Sequence, residues 1–280
     1  MKKILMLILA AAMLTCVLSA CGDNSQKFVI LDENFGEEEY AIGFRKGENA
    51  LAEKVQEILD GLYTDGTAKN IAVKWFGSDV ILKGNDFASK GEANSPDDSL
   101  TYITGKGTFV LGFDKEYPPM GFVDDKTGEY TGFDIDLAKA LCAKWGVELK
   151  LQPVDWETKE LELSSKNIDC IWSGMSVRDD RKEIFTMSKP YLANAQVILV
   201  GKDSGITKKA DLAGKKVGTQ AGSAALDEIN TDANKELKDS FAGLQEYSTF
   251  YEAYLDLQAG RIDAIIGDKT FLEYIIANQK

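Results

Sequence analysis

The sequence predicts an α/β protein built of two lobes, and three observations predict it. From residue 28 onward, short strand-like apolar runs alternate with amphipathic helical patterns, the signature of largely parallel sheets. About 260 of the 280 residues remain once a leader is set aside, enough for two lobes of ordinary domain size. A short internal echo links Lys166-Asn167-Ile168-Asp169-Cys170-Ile171 with Gly260-Arg261-Ile262-Asp263-Ala264-Ile265. Each copy follows an amphipathic helix and opens a buried strand.

The elements follow in order. Met1-Lys2-Lys3 is a positive n-region, Ile4 to Val17 an apolar run too short to span a membrane permanently, and Leu18-Ser19-Ala20-Cys21 a small-residue cleavage site. Residues 1–20 therefore read as a secretory leader, and residues 21–27 as a polar tether. Phe28 to Leu31 is a short apolar run, and Tyr40 to Phe44 alternates like a strand. Leu51, Val55, Ile58, Leu59 and Leu62 recur at helical spacing, Gly66 follows, and a second helix or turn leads to Trp75-Phe76. Residues 84–100 are nearly all polar or helix-breaking, which predicts an exposed linker. Thr108 to Phe113 is a strand, and Gly132 to Ala138 opens an amphipathic helix that Asp134 is placed to cap.

Composition narrows the function. The chain carries 32 Lys+Arg against 45 Asp+Glu, and loss of Lys2 and Lys3 with the leader moves its formal charge from −13 to about −15. Nucleic acid is an unsuitable partner for so acidic a surface. With no His, the chain can build neither a Ser-His-Asp or Cys-His triad nor an imidazole metal site. Neither a metal nor another cofactor is expected. Of the four Cys, Cys16 leaves with the leader; Cys142 and Cys170 read more readily as small buried hydrophobes than as halves of a disulfide.

Several motifs then occur in a specific order. They are Gly112-Phe113-Asp114-Lys115-Glu116-Tyr117-Pro118-Pro119-Met120-Gly121-Phe122, Gly132 to Ala138, and Ser173-Gly174-Met175-Ser176 leading to Arg181. Ser188-Lys189-Pro190-Tyr191, Val217 to Ser223 and Gly260 to Ala264 complete the set. From residue 107 to the end the chain resembles the extracellular solute-binding proteins of family 3, which serve polar amino-acid ABC transporters. Residues 28–83, with Glu39 to Gly47 and Ile71 to Gly77, resemble that family's C-terminal end, yet here they come first. The resemblance therefore implies a circular permutation: residues 84–100 join the family's usual ends, and new termini open between Lys280 and Phe28. Fusion of two unrelated fragments is the competing reading.

The resemblance implies a periplasmic-binding-protein-like type II fold with a two-strand hinge. Lobe 1 would hold residues 40–83 and 101–193, and lobe 2 residues 28–39 and 194–280, with crossings near Glu39–Ala41 and Ala193–Gln196. Cys21 matches the lipobox cysteine that such lipoproteins acylate, placing the protein outside the cytoplasm on a membrane anchor.

A free α-amino acid is a zwitterion, so its site needs a fixed cation, a fixed acid and a side-chain pocket. Arg181 suits bidentate carboxylate capture, because its planar fork follows the small-residue turn at Ser173 and Gly174. On residues alone Arg181 reads first as a surface partner of Asp179 and Asp180; the motif match reverses that and favours the site. By resemblance, Ser176 donates to the carboxylate, the Gly174 carbonyl accepts from the ammonium, and Asp268 is the ammonium's counter-ion at a strand's C-terminal end. Ser223 opens a helix whose N–H groups would face the carboxylate, or is a plain cap. Asp114, reinforced by Glu116, would with Tyr117, Trp156 and Gln220 set side-chain choice, the two rings flanking the ligand's stem. Trp156 is alternatively a core aromatic, Trp172 is structural, and Asp263 anchors structure.

The resulting expectation is a monomeric, non-enzymatic binder of a polar, conceivably basic, L-amino acid that closes on its ligand and hands it to a permease. An enzyme on the same scaffold, similar to cyclohexadienyl dehydratase, is the alternative, followed by a sensory or engineered binding module.

Overall fold

The computed structural model describes residues 27–92 and 96–278. The leader, Cys21, most of the tether and Lys280 lie outside the described residues. The chain begins with β1 (Phe28–Tyr40) and β2 (Gly43–Arg45), then α1 (Asn49–Thr64), α2 (Thr67–Phe76) and α3 (Ser99–Lys106). Next come β3 (Thr108–Phe113), the small strands β4 (Glu116–Tyr117), β5 (Gly121–Val123) and β6 (Tyr130–Thr131), and α4 (Phe133–Trp145). Then follow β7 (Glu148–Pro153), α5 (Lys159–Ser164), β8 (Cys170–Ile171), α6 (Asp179–Ile184), β9 (Phe185–Met187) and β10 (Leu192–Gly201). The remainder is β11 (Lys216–Gln220), α7 (Ala224–Ile229), α8 (Lys235–Asp239), β12 (Gly243–Tyr247), α9 (Phe250–Gln258), β13 (Ala264–Asp268) and α10 (Lys269–Ala277).

Two five-stranded sheets result, with orders β7-β3-β8-β2-β9 and β12-β11-β13-β10-β1. Read in these directions they match strand for strand: three parallel strands, then an antiparallel one, then an edge. The six-residue echo has a physical basis within this match. Asp169 Oδ2 accepts from Val110 N of β3 at 2.6 Å, and Asp263 Oδ2 accepts from Lys216 N of β11 at 2.8 Å. In each sheet an acid just before a buried strand ties down the start of the neighbouring strand.

Residues 28–45 are integral to both sheets. β1 runs antiparallel along β10, from Phe28 opposite Gly201 to Tyr40 opposite Leu192, with irregular register between Ile30 and Gly36. The apolar run seen in sequence is thus only the first third of a 13-residue strand, in which Asp32, Glu33 and Glu37 are exposed while Glu38 and Glu39 are half-buried. The chain then breaks at Ala41-Ile42 and enters the other sheet as β2, between β8 and β9. Phe44 on β2 is fully buried in the core that also contains Leu51, Phe109 and Phe133.

Two expectations need correcting. The polar segment 84–100 is not an exposed linker throughout: Ser89 bridges to Met187 beside β9, and Ala88 N donates to Ser188 O. Its end caps α1, because Asp97 Oδ2 and Ser99 Oγ accept from Ala50 N and Leu51 N. The physical reason is that polar side chains here satisfy the N–H groups at the start of a helix rather than water. Asp134, likewise, does not cap α4. Gly132 holds that position at φ 145°, where a Cβ would lie 2.2 Å from Met120 O. Asp134, fully buried, instead accepts from Gly174 N at 2.9 Å and Tyr191 Oη at 3.0 Å. Cys142 and Cys170 are buried and unbridged, as expected.

If residues 43–45 complete a core, Phe44→Ala removes a fully packed ring and is expected to cost about 3–5 kcal/mol, read as a lowered urea midpoint. Unchanged stability would contradict that placement. Burial raises the Asp134 carboxyl to about 7. The raised value favours the neutral form in the fold, so that contribution is full below the ordinary carboxyl range and disappears as pH rises through about 7. Asp134→Asn stays neutral, so its urea midpoint should gain on wild type between pH 5 and pH 8. A pH-independent difference would show that Asp134 titrates normally.

Candidate functional site

The ten ligand-site residues expected from sequence are brought together. Asp114, Tyr117, Trp156, Ser173, Gly174, Ser176, Arg181, Gln220, Ser223 and Asp268 all line one enclosed cavity, with Ala224 beside them. The cavity is contracted to about 10 Å³, because its side chains meet one another across it. Seven of the ten come from the part of the chain that builds the β3 sheet, and the other three from the ends of β11 and β13 and the start of α7.

The turn 173–177 is the scaffold. Its backbone is strapped to the end of β1: Val177 N donates to Glu39 O at 2.8 Å and Ala41 N donates to Met175 O at 2.9 Å. Gly174 adopts φ 58°, and a Cβ there would lie 2.8 Å from the Tyr117 ring and 3.0 Å from that of Tyr40. Only glycine lets the backbone approach so closely with that dihedral. Asp134 grips the Gly174 N–H from behind, so the helix that sequence reasoning gave a cap instead positions this turn.

Charge is distributed along the cavity. At one end Arg181 is 4% exposed, and its Nη1 donates to Ser176 O at 3.2 Å. The carboxylate found within ion-pair reach of Arg181 is that of Asp227, at 4.0 Å. Lys159, buried on α5, adds a second cation whose Nζ donates to Trp156 O and Gly222 O. Burial, with repulsion from Arg181, lowers the Lys159 ammonium to about 8. At the opposite end Asp268 Oδ1 accepts from Tyr40 Oη at 2.8 Å, Asn194 Nδ2 at 2.7 Å and Gln196 Nε2 at 2.8 Å. Burial raises the Asp268 carboxyl above its ordinary range.

The side-chain end is formed by Asp114. It accepts from Gln220 Nε2 at 2.8 Å, a bond that joins the two sheets, and from Glu116 N at 2.8 Å. Burial raises Asp114 to about 6 against those bonds, with the Glu116 and Asp155 charges adding to the rise. Glu116 does not reinforce it, since its carboxylate accepts from Thr249 instead. Tyr117 stacks one face on Phe271 at 5.6 Å, leaving only its other face for a ligand, and its hydroxyl bonds Tyr40 Oη at 2.7 Å. Trp156 is buried with Lys159 Nζ 4.9 Å from its ring. Ser173 Oγ accepts from Asp114 N, and Ser176 Oγ donates to Glu38 at 2.8 Å. Ser223 caps α7 through Leu226 N and donates to Gln220 O.

Sequence reasoning missed Glu38, Tyr40, Asn194 and Gln196. Glu38 lay hidden in the run Glu37-Glu38-Glu39, which reads as a solvated face. The alternation of β1 and β10 was the available signal: Asn194 and Gln196 are two apart, and so are Glu38 and Tyr40. Among the described residues, no group of three or more Cys, Asp or Glu is placed to hold a metal ion.

Known proteins resemble this chain in sequence and in fold. Residues 109–247 match the family described as bacterial extracellular solute-binding proteins, family 3. An L-cystine-binding protein of Escherichia coli is 34% identical over 174 residues, 61% of this chain. The chain spans 62% of that relative's length. A glutamine-binding protein of Geobacillus stearothermophilus is 31% identical over 191 residues, which cover 67% of this chain and 71% of the relative. A histidine-bound substrate-binding protein of an ABC uptake transporter from Streptococcus pneumoniae superposes with a TM-score of 0.61. It is 40% identical and covers 66% of this chain and 75% of its own. The likeness in sequence and the shared fold support one conclusion: this chain belongs to the bacterial extracellular solute-binding proteins of family 3.

Proposed function

We propose that this protein binds a free L-amino acid as its zwitterion, closes around it and delivers it to an ABC transporter permease. One observation carries the reading: Arg181 and Asp268 are both buried in the wall of a single cavity, and neither neutralises the other. A carboxylate at Arg181 and Ser176 and an ammonium at Asp268 and the Gly174 carbonyl would satisfy both. Asp114 and Gln220 at the far end favour a polar or cationic side chain, with Tyr117 and Trp156 along its stem. Relatives that bind cystine, arginine, glutamine and histidine support this class of ligand. Those relatives are described as binding proteins, which favours binding over an enzyme. The alternative keeps one foothold, an ancestral amino-acid-binding relative described as a precursor of cyclohexadienyl dehydratase, 34% identical with a TM-score of 0.59.

The hinge of this reading is the paired segment Glu39–Tyr40 and Leu192–Ala193, where both chains pass from one sheet to the other. Residues 40–83 and 101–193 form lobe 1, residues 28–39 and 194–280 lobe 2, and 84–100 the join. Circular permutation within the family is supported by β1 and β2, which enter both sheets from the start of the chain, and by matches that cover only part of each relative. Cys21, lipidated after removal of residues 1–20, would anchor the protein outside the cell membrane as a monomer.

Arg181→Ala is expected to weaken binding of the preferred amino acid at least tenfold, about 1.4 kcal/mol or more, in calorimetry. Unchanged affinity would remove Arg181 from the carboxylate role. A thermal-shift panel of the twenty amino acids should show stabilisation by polar members, because a ligand of the folded state raises its stability by mass action. Stabilisation by none of them, together with dehydration of a cyclohexadienyl substrate, would favour the enzyme.

A further inference from the structure

One partly buried carboxyl in this region has no part in the amino-acid reading. Glu38, on β1, directs Oε1 toward the ligand site, where it accepts from Ser176 Oγ at 2.8 Å, Asn194 Nδ2 at 2.6 Å and Gln196 Nε2 at 2.9 Å. The same two amide nitrogens donate to Asp268 Oδ1. Two carboxyl oxygens, from the strands on either side of β10, are therefore held against one pair of β10 amides. Gln196 is 1% exposed, yet its own Oε1 is buried with no partner. The cluster is short of donors, and it is also short of positive charge.

The groups that face it confirm the deficit. Tyr40 on β1, Tyr117 on β4 and Thr270 on α10 supply neutral hydroxyls. Arg181 on α6 turns to the Ser176 carbonyl and Asp227, and neighbouring Arg178 to Asp180, Asp227 and Glu228. Among the described residues no cation forms an ion pair with Glu38 or Asp268. Two buried carboxylates this close, without a cation, do not both ionise at neutral pH.

We propose that Glu38 and Asp268 act as one diacid that holds a single shared proton in the free protein and releases it when the ligand's α-ammonium enters. The proposal rests on the amino-acid reading above. Its balance is simple: the singly protonated pair carries one negative charge, the ammonium brings one positive charge and three N–H donors, and the proton passes to solvent. The donors reach both carboxylates and the unpartnered Gln196 Oε1. Burial, followed by the Asp268 charge, raises Glu38 to about 7, which places the exchange near neutrality. Affinity should therefore rise with pH through that window. Asp114, raised to about 6 at the other end of the cavity, adds a smaller dependence at lower pH.

The test is calorimetry of the lipid-free mature chain with its best-stabilising amino acid, in buffers of different ionisation enthalpy. At pH 7 wild type should release about 0.6 of a proton per ligand, and affinity should fall about twentyfold from pH 8 to pH 6. Glu38→Gln should bind with release reduced to about a tenth of a proton, and with roughly a twofold pH effect left from Asp114. Binding without proton release by wild type overturns this proposal alone. Absence of binding heat for every amino acid overturns both it and the reading on which it rests. Should Glu38→Gln fail to fold by circular dichroism, carbon NMR of the wild-type Glu38 carboxyl decides. Titration near neutrality in the free protein, abolished by ligand, supports the diacid; titration in the ordinary carboxyl range overturns it.

Discussion

A guanidinium and a carboxylate buried in one small cavity attract each other strongly, because the interior screens charge poorly. Had Arg181 reached Asp268, the ion pair would have filled the site and left no cation or acid for a ligand. The rest of the structure can be understood as what keeps them apart. Arg181 is held back by the Ser176 carbonyl and by Asp227 at 4.0 Å. Asp268 is held by Tyr40, Asn194 and Gln196, all donating to one oxygen. Between them stands the Gly174 turn, fixed from behind by Asp134 and in front by the rings of Tyr117 and Tyr40. Unpaired charge inside a protein is costly, so the amides and hydroxyls around each group are what make the arrangement affordable.

These positioning groups come from distant parts of the chain. Tyr40 and Glu38 lie on the first strand, Asn194 and Gln196 on its antiparallel partner, and Asp268 on the strand beyond. Three adjacent strands of one sheet thus supply the acid end, while the 173–177 turn and α6 supply the cationic end. Gln220 to Asp114, Lys159 to Gly222 and Tyr40 to Tyr117 join these parts across the cavity. The same contacts would have to part for a ligand to enter, and each has a donor or acceptor that a ligand could replace. Such exchange of internal bonds for ligand bonds couples occupancy to closure.

Much of this was legible in the sequence. Alternating strands and helices gave the two sheets, and the echo around Asp169 and Asp263 marked equivalent places in them. The residues of the site were readable as chemical types at motif positions, and all ten line the cavity. What was hidden had a common cause. Glu38, Asn194 and Gln196 matter because β1 and β10 are paired, and a long-range antiparallel register is not encoded in local spacing. Asp134 looked like a cap because an acid at the start of a helix usually satisfies local N–H groups, whereas here a distant N–H, that of Gly174, takes its place. The polar stretch before α3 looked exposed because composition does not reveal that its side chains end a helix.

The central claim is that both charges of the ligand are recognised at once. Calorimetry with the preferred amino acid and two of its analogues, one lacking the α-ammonium and one the carboxylate, tests this most directly. The account predicts that each analogue loses at least a hundredfold in affinity, about 2.7 kcal/mol, because each leaves one buried charge of the protein unpaired. Binding of either analogue within a few-fold of the amino acid would contradict it.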